Sequence, residues 1–118
     1  LSIRAQCPAH FRVWSGCDEL TVPTLALGGA GVISVLSNLY PEMTQTMVSA
    51  GLDGDFDTAA DLQIRFEPII RALFSQPNPI PVKAAMKLLG FDCGEPRLPL
   101  TPASHQLVEK LGTLLNIV

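Results

Sequence analysis

The chain has 118 residues and a formal net charge of −3, and 47% of its residues are hydrophobic while only 16% are charged. This length predicts one domain, and the scattered basic residues exclude the basic stripe typical of nucleic-acid binding. Because a small domain has much surface to cover, so little charge indicates that apolar surface is exposed or covered by a partner. We therefore expect this chain to associate.

The uncharged run at 21–41 is long enough to cross a bilayer. Its glycines and prolines divide it into a helix, a turn and a strand, so we expect no membrane segment. No basic and apolar leader is visible at the start of the sequence. The three cysteines are widely spaced and form no CxxC pair, which indicates reduced thiols. Together these features favour a cytoplasmic protein.

The first half of the chain alternates between predicted strands and helices. After a helix tail that ends before Pro8, the predicted elements are a strand at 11–14, a helix at 18–27, a strand at 32–36 and a helix from Pro41 to Gly51. The apolar, β-branched run at 32–36 is typical of a parallel strand that is buried on both faces. A strand-helix-strand unit of this length predicts a right-handed parallel crossover.

Three more helices are predicted in the second half. The first follows a turn at 53–57, contains Pro68, which we expect to kink it, and has a periodic apolar face: Leu62, Phe66, Ile69 and Leu73. The second covers 81–89 and ends at Gly90. The third begins after a cap at Thr101 or Ser104, and it carries Leu107, Leu111, Leu114 and Val118 on one face.

The segment 76–83 alternates prolines with other residues. Each proline fixes its own φ and biases the preceding residue towards extended geometry. We therefore predict a stiff, extended segment that ends as the start of a helix. On physical grounds alone it is equally well explained as a linker between two helices.

Four segments, at 11–18, 28–35, 73–83 and 97–102, resemble in order and spacing the C-terminal part of the dihydrodipicolinate synthase family of pyruvate-dependent class I aldolases. The resemblance implies an α/β fold, with the last two βα units of a (β/α)8 TIM barrel at 1–54 and a C-terminal helical extension at 55–118, together one structural unit. Two strands cannot close a barrel, and they leave both sheet edges open. We therefore expect a homo-oligomer or a complementary N-terminal half.

The resemblance also implies which residues line the substrate site. It assigns Gly16 and Asp18 to a turn at the carboxyl end of a strand, Ile33 to a backbone contact with pyruvate, and Asn78 to the same wall. Cys17 stands where an acid is usual, so the second substrate stays open. The turn from Gly16 to Glu19 is also similar to that of sialic-acid lyases.

No catalytic residue is expected within this chain. Imine chemistry needs a lysine with a depressed pKa, and Lys83 and Lys87 share a helix face. The resemblance, however, assigns that lysine to a segment that this sequence lacks, and Tyr40 has the wrong context for the proton-relay tyrosine. Neither a cofactor nor a metal site is expected.

Calcium is excluded because the loop that starts with Asp53, Asp55 and Asp57 has Thr58 where an EF-hand needs glycine, and Ile64 where it needs glutamate. We expect a solvated turn there.

The resemblance thus implies part of a lyase of lysine biosynthesis that condenses pyruvate with aspartate semialdehyde through a lysine Schiff base, and that is inactive in isolation. Two alternatives stay open. One is a non-catalytic, self-associating half-barrel, which the low charge favours. The other is part of a sialic-acid or sugar-acid aldolase.

Overall fold

Two short strands alternate with helices in the first third of the chain, and four longer helices follow. The computed structural model describes residues 2–116. In chain order the elements are α1 (Ser2–Gln6), β1 (Trp14–Ser15), a 3₁₀ turn (Asp18–Leu20) that continues as α2 (Thr21–Ala26), β2 (Gly31–Val32), a second 3₁₀ turn (Leu36–Asn38), α3 (Pro41–Asp53), α4 (Phe56–Leu73), α5 (Ile80–Leu88) and α6 (His105–Leu115).

The two strands pair in parallel, as the strand-helix-strand pattern predicts. Trp14 lies opposite Gly31, and Ser15 lies opposite Val32. Both strands are shorter and shifted relative to the prediction, which placed them at 11–14 and 32–36. The second strand ends early because the backbone N–H groups of Val35 and Leu36 turn away to bind a carboxylate. The prediction that this strand is buried on both faces is also wrong, because Val32 is half-buried and Ile33 is exposed.

The connection from α2 to β2 turns back closely on its own helix. Gly29 donates its N–H to the carbonyl of Thr24 at 2.8 Å. A Cβ atom at Gly29 would lie 2.4 Å from Thr24 Cγ2 and 2.7 Å from Thr24 O. Only glycine fits at this distance, so the glycine-rich run is a tight helix exit.

The main core lies among the long helices. Its buried members are Leu36, Phe66, Ile69, Ile70, Ala72, Leu73, Val82, Ala85, Leu107 and Leu111. The predicted apolar face of α4 is therefore largely confirmed, with Leu62 half-buried at the margin. The helix continues through Pro68 without a break, and Pro68 is exposed to solvent. Because Leu36 begins the 3₁₀ turn that follows β2, the core also fixes the segment beyond this strand.

The proline-rich segment forms a turn, so the prediction of an extended segment is wrong. The N–H of Ile80 donates to the carbonyl of Pro77 at 2.9 Å, and Pro79 has φ −101° and ψ 24°. The peptide bond between Asn78 and Pro79 is cis. The alternating prolines leave the N–H of Ile80 free to close this turn, and α5 begins at that residue, close to its predicted start.

Of the two predicted caps of α6, the structure uses Ser104, whose Oγ accepts the N–H of Leu107 at 3.3 Å. Leu107 and Leu111 are buried and Leu114 is half-buried, while Val118 lies outside the described residues. Within residues 2–116, no helix is long and apolar enough to cross a membrane.

The overall shape is a flat slab of 44 × 31 × 19 Å with a radius of gyration of 15.5 Å. A compact domain of this length has a radius of about 13.5 Å. We refer to residues 11–40, which hold both strands and precede α3, as the sheet unit. Five of its large apolar side chains are exposed by 46 to 73%: Phe11, Trp14, Leu20, Leu27 and Ile33. The slab therefore presents an apolar face around its two strands.

Candidate functional site at the carboxyl ends of the strands

A hydroxyl group shapes the turn that follows β1. Ser15 Oγ donates to the carbonyl of Cys17 at 2.8 Å and accepts the N–H of Cys17 at 3.1 Å. The turn thereby closes on itself around Gly16, which is exposed, and a Cβ atom added there would meet no atom within 4 Å. The apex of this turn is open to a second molecule.

Asp18 ties the turns that follow the two strands. Its side chain is fully buried, and Oδ2 accepts the N–H groups of Val35 at 2.9 Å and Leu36 at 3.1 Å. A carboxylate that accepts backbone N–H groups in this way forms charge-assisted hydrogen bonds. Its Oδ1 is buried without a hydrogen-bond partner among the described residues. The carboxylate therefore fixes the backbone beyond β2 from a position just beyond β1.

Ile33 lies beside the first turn because its N–H donates to the carbonyl of Ser15 at 2.8 Å. Its side chain is 73% exposed. The structure thus brings Gly16, Asp18 and Ile33 together at the carboxyl ends of the strands. Gly16 and Ile33 face outwards, whereas Asp18 faces inwards.

Asn78 is not hydrogen-bonded to this group. It is exposed in the turn between α4 and α5, and no hydrogen bond recorded within 2–116 joins it to Gly16, Asp18 or Ile33. The helix α5 packs against the 3₁₀ turn at Leu36–Asn38, which lies just beyond the strand ends. The proposed substrate contacts of all four residues stay predictions.

Two supporting residues are absent from the sequence-based prediction. The Nε2 amide group of Gln63 on α4 donates a hydrogen bond to the carbonyl of Asp18 at 3.0 Å. Its Oε1 accepts the N–H of Val22 at 3.3 Å. A glutamine on an amphipathic helix carries no signal for such distant partners. Ser15 did carry a signal, because a serine before glycine is typical of a hydroxyl-closed turn.

The ammonium groups of both candidate lysines are directed to the loop after α5. Lys83 Nζ donates to the carbonyls of Cys93 at 2.7 Å and Gly94 at 3.1 Å. Lys87 Nζ lies 3.3 Å from Glu95 Oε1 and 4.0 Å from Asp92 Oδ2. These contacts hold both ammonium groups at that loop.

Tyr40 also has a packing role. Its ring lies 5.0 Å from that of Phe66, centroid to centroid, at an angle of 51°. Burial raises the pKa of the Tyr40 phenol above its ordinary value of 10.0.

The acidic turn before α4 serves as a helix cap. Asp55 Oδ1 accepts the N–H of Thr58 at 3.1 Å, and Gly54 closes α3 in the left-handed region at φ 86°. Among residues 2–116, no group of three or more His, Cys, Asp or Glu side chains is arranged to hold a metal ion.

Comparison with known proteins gives a consistent result over the whole chain. The sequence pattern of the Dihydrodipicolinate synthetase family matches residues 1–118. The 4-hydroxy-tetrahydrodipicolinate synthase of Thermosynechococcus vestitus is 44% identical over 115 residues, which are 98% of this chain and 39% of that protein.

Solved structures agree in fold. The dihydrodipicolinate synthase of Aquifex aeolicus superposes with a TM-score of 0.94 at 40% identity, covering 98% of this chain and 40% of that one. The dihydrodipicolinate synthase of Thermotoga maritima superposes with a TM-score of 0.92 at 41% identity, covering 98% of this chain and 39% of that one. The chain therefore spans about two-fifths of the length of these relatives. With its α/β fold and its sequence pattern both matched, this chain belongs to the dihydrodipicolinate synthetase family.

Proposed function

We propose that this chain supplies the C-terminal part of a pyruvate-dependent lyase of the 4-hydroxy-tetrahydrodipicolinate synthase type. Residues 1–54 form the last two βα units of its barrel, and residues 55–118 form the helical extension. The observation that carries this proposal is the pair of turns that Asp18 ties together at the carboxyl ends of two parallel strands. Barrel enzymes place their sites at that end.

The whole enzyme condenses pyruvate with aspartate semialdehyde through a lysine Schiff base, and this chain contributes one wall of the site. Gly16 and Ile33 are the exposed members of that wall, and Asn78 joins it from the turn before α5. Asp18 acts through the positions of both turns, because its carboxylate is buried and already accepts two N–H groups. Cys17 adjoins the open apex and bears on the choice of second substrate.

The rest of the enzyme supplies the Schiff-base lysine, so the chain alone is inactive. Support comes from Lys83, whose ammonium group is bonded to two carbonyls, and from Lys87, which is paired with carboxylates. The test is to incubate the 118-residue chain with pyruvate and borohydride and to map adducts by mass spectrometry. We expect none. A stable pyruvyl adduct on Lys83 or Lys87 would overturn the proposal of inactivity.

The wall itself is tested by complementation. The chain is co-expressed with the complementary N-terminal part of the Thermosynechococcus vestitus synthase, and condensation activity is measured. Ile33→Asp should lower kcat/KM for pyruvate by about tenfold or more, because the new carboxylate repels the substrate's own. Ile64→Asp is the matched control, since Ile64 is 70% exposed and Ile33 is 73% exposed. Equal effects of the two substitutions would contradict the assignment.

Complementation also decides the substrate. The same reconstituted protein is assayed with sialic acid and with 2-keto-3-deoxy sugar acids. We expect condensation of pyruvate with aspartate semialdehyde and no cleavage of the sugar acids. The reverse pattern would favour the alternative aldolase.

A second candidate is a self-associating module without catalysis. The exposed apolar face around the strands favours it, because patches of this kind mark interaction surfaces. Light scattering on the isolated chain is the test, and we expect oligomers at micromolar concentration. A stable monomer would count against self-association and leave a complementary N-terminal half as the partner.

A further inference from the structure

A cleft lies away from the strand ends, between α5, α6 and the loop that joins them. Its volume is about 360 Å³, within the range of sites that hold small molecules. Most of its lining is apolar: Ile80, Ala84, Leu88, Pro96, Pro102 and Val108. Lys83 and Lys87 on α5 and Glu95 on the loop also line it.

Lys83 is a cation without an ionic partner in this cleft. An ammonium group has three donors, and Lys83 uses two of them on the carbonyls of Cys93 and Gly94. The ion pairs found among residues 2–116 do not include Lys83. One donor and the positive charge of Lys83 are therefore left without a partner among the described residues.

Lys87, one helical turn further along α5, differs from Lys83 because it has ionic partners. Its ammonium group is compensated by Glu95 at 3.3 Å and by Asp92 at 4.0 Å. The cleft therefore holds one cation without an ion-pair partner, in a lining that is otherwise apolar apart from the paired Lys87 and Glu95.

We propose that this cleft binds a small carboxylate with an apolar body. The carboxylate accepts the third donor of Lys83, and the apolar body lies against Ala84, Leu88 and Val108. Charge complementarity selects this occupant, because an apolar body alone leaves Lys83 uncompensated and a purely ionic ligand leaves the apolar lining exposed to water.

The test is a calorimetric titration of the 118-residue chain with 3-phenylpropionate and with the uncharged 3-phenylpropionamide. We expect saturable binding of the acid, and binding of the amide that is weaker by about tenfold or more, since charge-assisted hydrogen bonds exceed neutral ones. Lys83→Met should weaken binding of the acid by a similar factor. Lys110→Met, a change at an exposed lysine outside the cleft, should leave it unchanged.

A cleft-filling variant keeps the test decisive if Lys83→Met loses its fold. Ala84→Phe retains Lys83 and its two carbonyl partners but fills the space, so it should abolish binding of the acid and of the amide. The proposal is overturned if the acid does not saturate, if acid and amide bind equally, or if Ala84→Phe binds the acid as well as the original chain does.

Discussion

The sheet unit before α3 and the helices from α3 onwards differ in how far each forms a packed core and pairs its own backbone. The helices bury a contiguous core, to which the sheet unit contributes Leu36. The sheet unit exposes Phe11, Trp14, Leu27 and other large apolar side chains around only two paired strands. The helical part also leaves large apolar side chains exposed, Ile64, Phe91 and Leu98 among them, but it has a contiguous core of its own. An amphipathic helix satisfies its backbone internally, whereas a parallel strand needs a neighbour on each side. This difference supports our proposal that the strands, and the site at their ends, are the part that another chain completes.

The sharpest test of this contrast compares two isoleucines. Ile69 is completely buried in α4, and Ile33 is 73% exposed. Ile69→Ala should lower the free energy of unfolding by about 2–5 kcal/mol, because it removes buried methylenes and leaves a cavity. Ile33→Ala should change it by less than about 0.5 kcal/mol. Urea unfolding followed by circular dichroism measures both, and similar losses would remove the distinction between the two regions.

The next largest effect concerns the link between the strand ends. Asp18→Ala leaves the buried N–H of Leu36 without its acceptor, at a cost of about 1–3 kcal/mol, and it also removes the acceptor of the part-buried N–H of Val35. Asp18→Asn keeps an acceptor oxygen and should cost less. Asp61→Ala, at an exposed acid on α4, is the control. If Asp18→Ala unfolds at the same urea concentration as Asp61→Ala, the carboxylate does not hold the two turns.

Two glycines in the sheet unit separate a packing role from a site role. Gly29→Ala places a Cβ atom against the backbone of Thr24, and such overpacking costs about 1–3 kcal/mol. The Cβ atom added by Gly16→Ala meets no atom within 4 Å, so the free energy of unfolding should be unchanged. In the complemented enzyme, Gly16→Ala should instead impair substrate binding. Thermal unfolding and kinetics together check this, and a large loss of stability at Gly16 would contradict it.

The smallest effect is the pH dependence of the cap of α4. Hydrogen bonds from the side chain and backbone of Thr58 lower the pKa of Asp55 from its ordinary value of 3.8. Because the folded pKa is the lower one, the cap stabilises the fold fully above pH 3.8 and loses this contribution as the pH falls through the folded value. Asp55→Asn should flatten that part of the unfolding profile, with α4 otherwise intact. An identical profile in both proteins would show that the cap does not titrate.

The helices were predictable because their signals are local. The spacing of Phe66, Ile69 and Leu73 defines a buried face, and Ser104 is a cap next to its own helix. The strand ends were not predictable in the same way. The end of β2 depends on Asp18, which lies 17 and 18 residues away from the two N–H groups that it binds.

For the site, the family resemblance assigned Gly16, Asp18, Ile33 and Asn78 to one wall. The structure brings the first three to the ends of the strands, while their substrate contacts stay predictions. The resemblance did not indicate that Asp18 faces inwards, because its partners are backbone N–H groups with no sequence signature. Gln63 was missed for the same reason. The proline-rich segment was misjudged because geometry favoured at each proline does not exclude a turn closed by the free N–H of Ile80.

Hydrogen-exchange mass spectrometry tests most directly the claim that the sheet unit is the part completed by another chain. The 118-residue chain is measured alone and with the complementary N-terminal part of the Thermosynechococcus vestitus synthase. We predict that protection rises across 11–16 and 30–36, while α4 at Phe56–Leu73 is already protected in the isolated chain. Equal protection of the strands in both samples, with complex formation verified by light scattering, would contradict the account.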